Sequence, residues 1–339
     1  MRVSIYQTAG LHDSLVWMYA PIVRSLQTGF EAAGVAVSVG IFGTGGIQPP
    51  PARRDSQRLL SICNSMHSGD RFVWVGALPP LKWLPLEACN ARGVNTALYV
   101  TEPMLGCPRI GTREVWTYSH ANVLCARHGN ATPLVRYVPP GYLSPSAELP
   151  LESISAVDSA ASPSKSTSGL APLSFLGYVG YADRAPCWRK IVSAIATAGG
   201  SCQAYNSISS AAALEAWWAR TSSHVHLSLH KKLTARLGNK SANAAARRPR
   251  CADSSQPFEA VRASLLLSRG ATMLSARSHP ADERQYREVV TFASVADYPG
   301  VLRRVPTAAH RAAIARRFAE RFDPRLILER AGVLAGGGH

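Results

Sequence analysis

Short apolar runs that suit strands alternate with longer segments of helical period along this chain, and they do so in two successive blocks. In the first block, residues 3–6 read as a strand and residues 14–33 as a helix, joined by a turn that contains Gly10. Residues 35–41 form the next expected strand, directly after Gly34. Strands at 72–75, 96–100, 114–117 and 134–138 then interleave with helices at 54–66, 84–91 and 121–127. The second block restarts the pattern with strands at 173–176, 201–205, 224–229, 271–275 and 289–292 and helices at 185–198, 211–219 and 258–269. Helices at 298–305 and 308–321 close it. Parallel neighbours can be joined only by crossovers, so strands separated by helices fold as βαβ units. The expected class is α/β, with two open doubly wound domains that bind ligands in a cleft at the carboxyl ends of their strands.

The blocks meet at a stretch dominated by Ser, Ala and Pro, SPSAELPLESISAVDSAASPSKSTSG, which shows no sustained period. The expected organisation is a first domain over 1–143, a flexible linker over 144–170, a second domain over 171–322 and a tail over 323–339. A second low-order segment, rich in Ala, Arg and Asn, interrupts the second domain at about 233–256. Its basic run, Arg247, Arg248 and Arg250 around Pro249, fits a solvated loop better than a nucleic-acid contact.

The totals exclude several classes. At 339 residues, 46% of them hydrophobic, the chain has enough apolar mass for two cores and too much for general disorder. No apolar run approaches the roughly 18 residues that span a bilayer, and the opening residues go straight into a strand. A cytoplasmic location is the expectation. Seven cysteines at wide spacing, with no Cys-x-x-Cys pair, favour reduced and mostly buried thiols over a disulfide framework. The net charge is +16, yet only six of the 37 basic residues are lysine, which marks a compositional bias toward arginine. Residues 1–150 carry 12 basic and 8 acidic side chains, and the remainder carries 25 and 13, so the excess sits in the second block. A basic surface attracts phosphates, nucleic acid or an anionic membrane.

Two stretches of the second block carry chemistry. The first is APLSFLGYVGYA (171–182), followed by Arg184 and the helix CWRKIVSAI. Glycines at a strand end, here Gly177 and Gly180, let backbone approach a diphosphate, and the next helix N-terminus offers unpaired N–H groups. Arg184 or Arg189 adds a charge-assisted contact. The second stretch is HVHLSLHKKL, then FEAVRASLLLSRGATMLSARS (258–278) after the insertion: a strand with a polar exit, a helix with Glu259 at its start, and a Gly-led strand. Arg262 follows Glu259 by one turn, placed to meet phosphate or to pair with it.

Together these stretches resemble the donor domain of GT-B glycosyltransferases. The likeness covers residues 171–322 in pattern and residues 1–143 in architecture alone. It implies two Rossmann-like domains facing across a cleft and a nucleotide diphosphate sugar, held by the second domain, as donor substrate. It also implies that Glu259 hydrogen-bonds the ribose, that no cofactor or metal is tightly held, and that a terminal helix packs back across the domains. The chain departs from the best-known pattern, which has two glutamates eight apart, because Leu267 stands eight residues after Glu259.

His224, His226 and His230 fall at even spacing, which puts them on one strand face with Ser228. Such spacing can build a metal site, but no carboxylate lies nearby in sequence. His230 and Lys231 at the strand exit suit a donor phosphate better. For the acceptor proton the first block offers three candidates after strand ends: His12, Glu102 and His120, the last in a Ser-His-Ala-Asn cluster that doubles as a helix cap. Trp217 and Trp218 suit packing against the sheet. The basic helix at 308–321 has an apolar side, Ile314 and Phe318, and a peripheral membrane contact is its alternative to packing. The expected activity is transfer of a sugar from a nucleotide diphosphate sugar to a glycan, protein or small-molecule acceptor. A non-catalytic relative that binds nucleotide or glycan is the alternative, and a nucleic-acid-binding protein is a weaker one.

Overall fold

The computed structural model describes residues 1–8, 14–42, 53–76, 86–101, 111–127, 133–144, 169–177, 179–180, 184–205, 211–229, 256–304 and 306–334. It divides into two compact units, Met1–Leu143 with Arg321–His339, and Ser144–Glu320.

The first unit holds one parallel sheet of six strands: β1 (Arg2–Thr8), β2 (Ala36–Phe42), β3 (Arg71–Gly76), β4 (Asn95–Val100), β5 (Glu114–Thr117) and β6 (Leu134–Tyr137). Their order in space is β2-β1-β3-β4-β5-β6. Every residue of β3 is buried, as are five of the six in β4. Burial on both faces explains why these strands read as continuous apolar runs rather than alternating ones. Helices α1 (Ser14–Ala32), α2 (Arg53–Ser65), α3 (Leu86–Ala91) and α4 (His120–Arg127) form the crossovers. Gly34, at φ 71°, ends α1 in the left-handed conformation and turns the chain into β2.

The cysteine expectation is overturned in this unit. Cys63 of α2 and Cys89 of α3 have Cα atoms 5.1 Å apart and are joined as a disulfide. Their separation of 26 residues gives no hint that α2 and α3 pack side by side, which is what brings the two thiols together. In the second unit Cys187 is buried and Cys202 half-buried, and burial pushes the Cys202 thiol up to about 12.

The C-terminal segment is an integral part of the first unit. Helix α11 (Pro324–Arg330) packs on α1, where a methyl group on Gly29 would stand only 2.6 Å from the Pro324 carbonyl oxygen. Beyond it, the Arg136 guanidinium donates to the Ala331 carbonyl (2.6 Å) and Arg71 donates to that of Val333 (3.4 Å). Both arginines also donate to Glu114 at 3.0 Å, and Trp116 Nε1 donates to the same carboxylate at 2.7 Å. Burial alone would raise the Glu114 carboxyl, but Arg71, Trp116 and Arg136 outweigh it and hold the group below the usual carboxylate range. Removing one partner of such a buried set costs about 3–5 kcal/mol.

The second unit holds five parallel strands: β7 (Leu173–Leu176), β8 (Cys202–Tyr205), β9 (Val225–Ser228), β10 (Thr272–Ala276) and β11 (Val290–Ala293), in the order β11-β10-β9-β7-β8. Helices α5 (Ala185–Thr197), α6 (Ala211–Thr221), α7 (Ala260–Leu267) and α8 (Pro280–Tyr286) connect them, and α9 (Tyr298–Leu302) and α10 (Ala308–Arg321) follow. Strand order reverses between β7 and β9: β8 lies on one side, and β9, β10 and β11 run away on the other. In open doubly wound sheets that reversal is where a crevice opens outside the carboxyl ends.

The two-block α/β pattern and its parallel strands are therefore present. Helices α8 and α11, each seven residues long, are missing from the sequence pattern. Both start on a capping side chain followed by proline, His279 with Pro280 and Asp323 with Pro324. Ile314 and Phe318 are buried, so α10 packs its apolar side.

Candidate functional site

Strand β7 ends where its neighbours diverge. Its last inward side chain, Phe175, is fully buried, and two residues later Gly177 takes φ 145°, a backbone region that carries little penalty for glycine alone. The Gly177 N–H still donates to the Tyr205 carbonyl of β8 (2.8 Å), so the sheet holds the turn to its last residue. The chain then leads to Arg184, which precedes α5, and Pro186 in the first turn presets the helical backbone.

Three residues singled out in the sequence, Gly177, Arg184 and Arg262, meet at the Phe175 ring, and Glu259 joins them through Arg184. Arg184 is only 2% exposed; its guanidinium carbon lies 5.6 Å from the ring centroid. Its Nη2 donates to the Leu229 carbonyl just past β9 (3.4 Å) and stands 3.6 Å from Glu259 Oε1. The Arg262 guanidinium carbon is 5.2 Å from the same centroid. A methyl group on Gly177 would meet Phe175 Cζ at 3.1 Å and Arg262 Nη2 at 3.3 Å. Among the described residues, Arg184, Arg262 and Glu259 are the charged side chains brought together at this end of β7 and β9. Arginines at a strand-order reversal suit an anion.

Glu259 reaches this point because its segment is tied down from behind. It occupies the N-cap position of α7 with φ −76° and ψ 62°, and its side chain is 15% exposed. One residue earlier, the Phe258 N–H donates to the fully buried Asp282 carboxylate of α8 (3.1 Å). Phe258 packs on Tyr286 and Phe292, with ring centroids 4.6 and 5.4 Å away. Sequence reasoning missed both Phe175 and Asp282. An inward aromatic just before a strand-end glycine was legible for the first, but nothing local marks the second.

The remaining candidates fall elsewhere. Gly180 is exposed beyond the turn, and Arg189 is exposed on α5. Arg189 lies five residues, about 140° of helix rotation, from Arg184, so it points away from the cluster. His12, Glu102, His230 and Lys231 lie outside the described residues. In the first unit His120 opens α4 at the carboxyl end of β5, its ring stacked on Tyr137 with centroids 3.8 Å apart. Ser119, fully buried, caps that helix by accepting from the Ala121 N–H (3.1 Å). Asn122 donates to Thr117 Oγ1 (3.0 Å), which completes the cluster around the β5 exit.

His226 of β9 belongs to the core of the second unit, and half-buried His224 directly precedes the strand. His224 Nδ1 hydrogen-bonds the Ser174 hydroxyl, and His226 lies between Trp217 and Trp218 with centroids 5.2 and 5.4 Å away. Burial, assisted by the charge of His224 and opposed by the Thr221 carbonyl, lowers His226 to about 3. No cluster of three metal-ligating side chains occurs among the described residues.

No protein-family model matches the chain, and no curated protein is similar to it at sequence level. Among solved structures it is similar to a glycosyltransferase from Rickettsia africae ESF-5, with 8% identity and a TM-score of 0.48 over 99% of this chain and 100% of the other. It is also similar to the glycosyltransferase SnogD from Streptomyces nogalater, with 13% identity and a TM-score of 0.41 over 98% and 99%. The calicheamicin glycosyltransferase CalG4 matches with 9% identity and a TM-score of 0.34 over 99% of both chains.

Proposed function

We propose that this chain is a glycosyltransferase of GT-B type whose second unit binds a nucleotide diphosphate sugar. The observation that carries the reading is the convergence of Gly177, Arg184 and Arg262 on Phe175, with Glu259 against Arg184, at the carboxyl ends of β7 and β9 where strand order reverses. Diphosphate approaches the backbone at Gly177, where a side chain would stand in its way. Arg262 at that turn meets the phosphate oxygens and stabilises the charge that builds on the leaving diphosphate as the glycosidic bond breaks. Glu259 accepts hydrogen bonds from the ribose hydroxyls and so orients the nucleoside.

The first unit takes the acceptor. His120, at the carboxyl end of β5 and stacked on Tyr137, is the described candidate to manage the acceptor hydroxyl proton, beside His12 and Glu102. The acceptor is a glycan, protein or small molecule. Among the described residues no helix is long and apolar enough to cross a membrane.

A thermal-shift screen against UDP, GDP, ADP and CMP sugars tests the reading. Selective stabilisation by one nucleotide class is the expected result, because a ligand at 100 times its Kd adds about 2.7 kcal/mol to the state it binds. No shift with any member of the panel would remove the donor-site reading.

A further inference from the structure

We infer that Arg184 does not touch the donor phosphates but is a positioning residue, which holds Glu259 in place for the nucleoside while Arg262 alone of the pair meets the diphosphate. The inference rests on the donor-site reading above and divides the labour within it. Arg184 is 2% exposed, with its guanidinium against the Phe175 ring and its Nη2 shared between the Leu229 carbonyl and Glu259 Oε1. A ligand cannot reach a side chain packed on three sides without dismantling that packing. Its partner differs. Glu259 keeps 15% of its side chain exposed, so it is the member of the pair that a hydroxyl donor can reach.

Arg262 is half-buried, and its Nη2 stands at the half-buried Gly177 turn. The two guanidiniums share the Phe175 ring, and Arg262 is the less buried residue of the two. Arg184 Nη2 lies against both the carbonyl at the exit of β9 and the carboxylate at the start of α7, which ties those two segments to one buried side chain.

The two roles separate when a nucleoside diphosphate is compared with its own nucleoside, which keeps base and ribose but lacks phosphate. Affinities are measured by calorimetry for UDP and uridine, GDP and guanosine, and ADP and adenosine, on the full chain. For the pair that the wild type binds, Arg184→Met weakens diphosphate and nucleoside by the same factor, about tenfold or more, since both depend on Glu259. Arg262→Met weakens the diphosphate by a similar factor and leaves the nucleoside within about twofold. If Arg184→Met fails to fold, Arg184→Lys carries the test: it keeps the charge, reaches one acceptor instead of two, and gives a smaller loss that is again equal for both probes. A loss confined to the diphosphate in either Arg184 variant overturns the assignment and makes Arg184 a phosphate contact. A wild type that binds none of the three pairs overturns the donor-site reading itself, and the assignment with it.

Discussion

Replacing Gly177 with alanine perturbs the proposed site at its narrowest point. The residue stands at φ 145°, and holding an alanine in such a region costs about 1–3 kcal/mol. The new methyl group would also lie 3.1 Å from Phe175 Cζ and 3.3 Å from Arg262 Nη2. The phenyl ring is fully buried, so the methyl presses on both the ring and the Arg262 guanidinium at the turn. For a domain of this size each kcal/mol lowers Tm by about 2–4 °C, which places the expected fall between about 2 and 12 °C. Loss of one charge-assisted contact weakens diphosphate binding by about tenfold or more. Scanning calorimetry and nucleotide titration read the two effects separately. The exposed Gly180, three residues on, is the control: alanine there shifts stability by less than about 0.5 kcal/mol. A Gly177→Ala protein with unchanged Tm and unchanged affinity would refute both the strain and the placement of the anion.

Three further outcomes follow from the described contacts. Glu114→Gln destabilises the first unit by about 3–5 kcal/mol at neutral pH, because Arg71 and Arg136 lose their common counter-charge. Its folded carboxyl is held below the ordinary value of 4.5, so the stabilisation is complete above that pH and disappears as pH falls through the folded value; acid titration of unfolding should show this loss in the wild type and not in the variant. His226, ordinarily 6.5 and lowered to about 3 in the fold, stabilises the folded state fully above 6.5 and progressively less toward 3, by up to about 1.4 kcal/mol per pH unit. His226→Phe should flatten unfolding free energy measured across that window. Glu259→Gln should weaken binding of a nucleotide sugar by about tenfold in calorimetry while near-ultraviolet circular dichroism stays native.

Much of the fold was legible because its strands and most of its helices are periodic. Strands 114–117 and 173–176 and the helix over 308–321 fall on the expected residues, since each is a clean apolar or amphipathic run. Sheet order is another matter. Nothing in the sequence says that β9 pairs with β7 rather than β8, because that choice is made by which way each crossover swings. The same limit hid the Cys63–Cys89 disulfide and the return of residues 321–334 to the first unit, both products of helix packing across long separations. At the site, Gly177, Arg184, Glu259 and Arg262 were legible as residue types at strand and helix ends. The burial of Arg184 was not legible, because it depends on the packing of Phe175 and of the Leu229 carbonyl, both from other segments of the chain.

The location of the donor is the claim on which the rest depends, and hydrogen exchange with peptide-level readout measures it directly. A nucleotide diphosphate sugar chosen from the stabilising class should slow exchange in two peptides above all, those covering residues 173–189 and 256–268. Protection confined to the first unit, or spread evenly over both, would contradict the account.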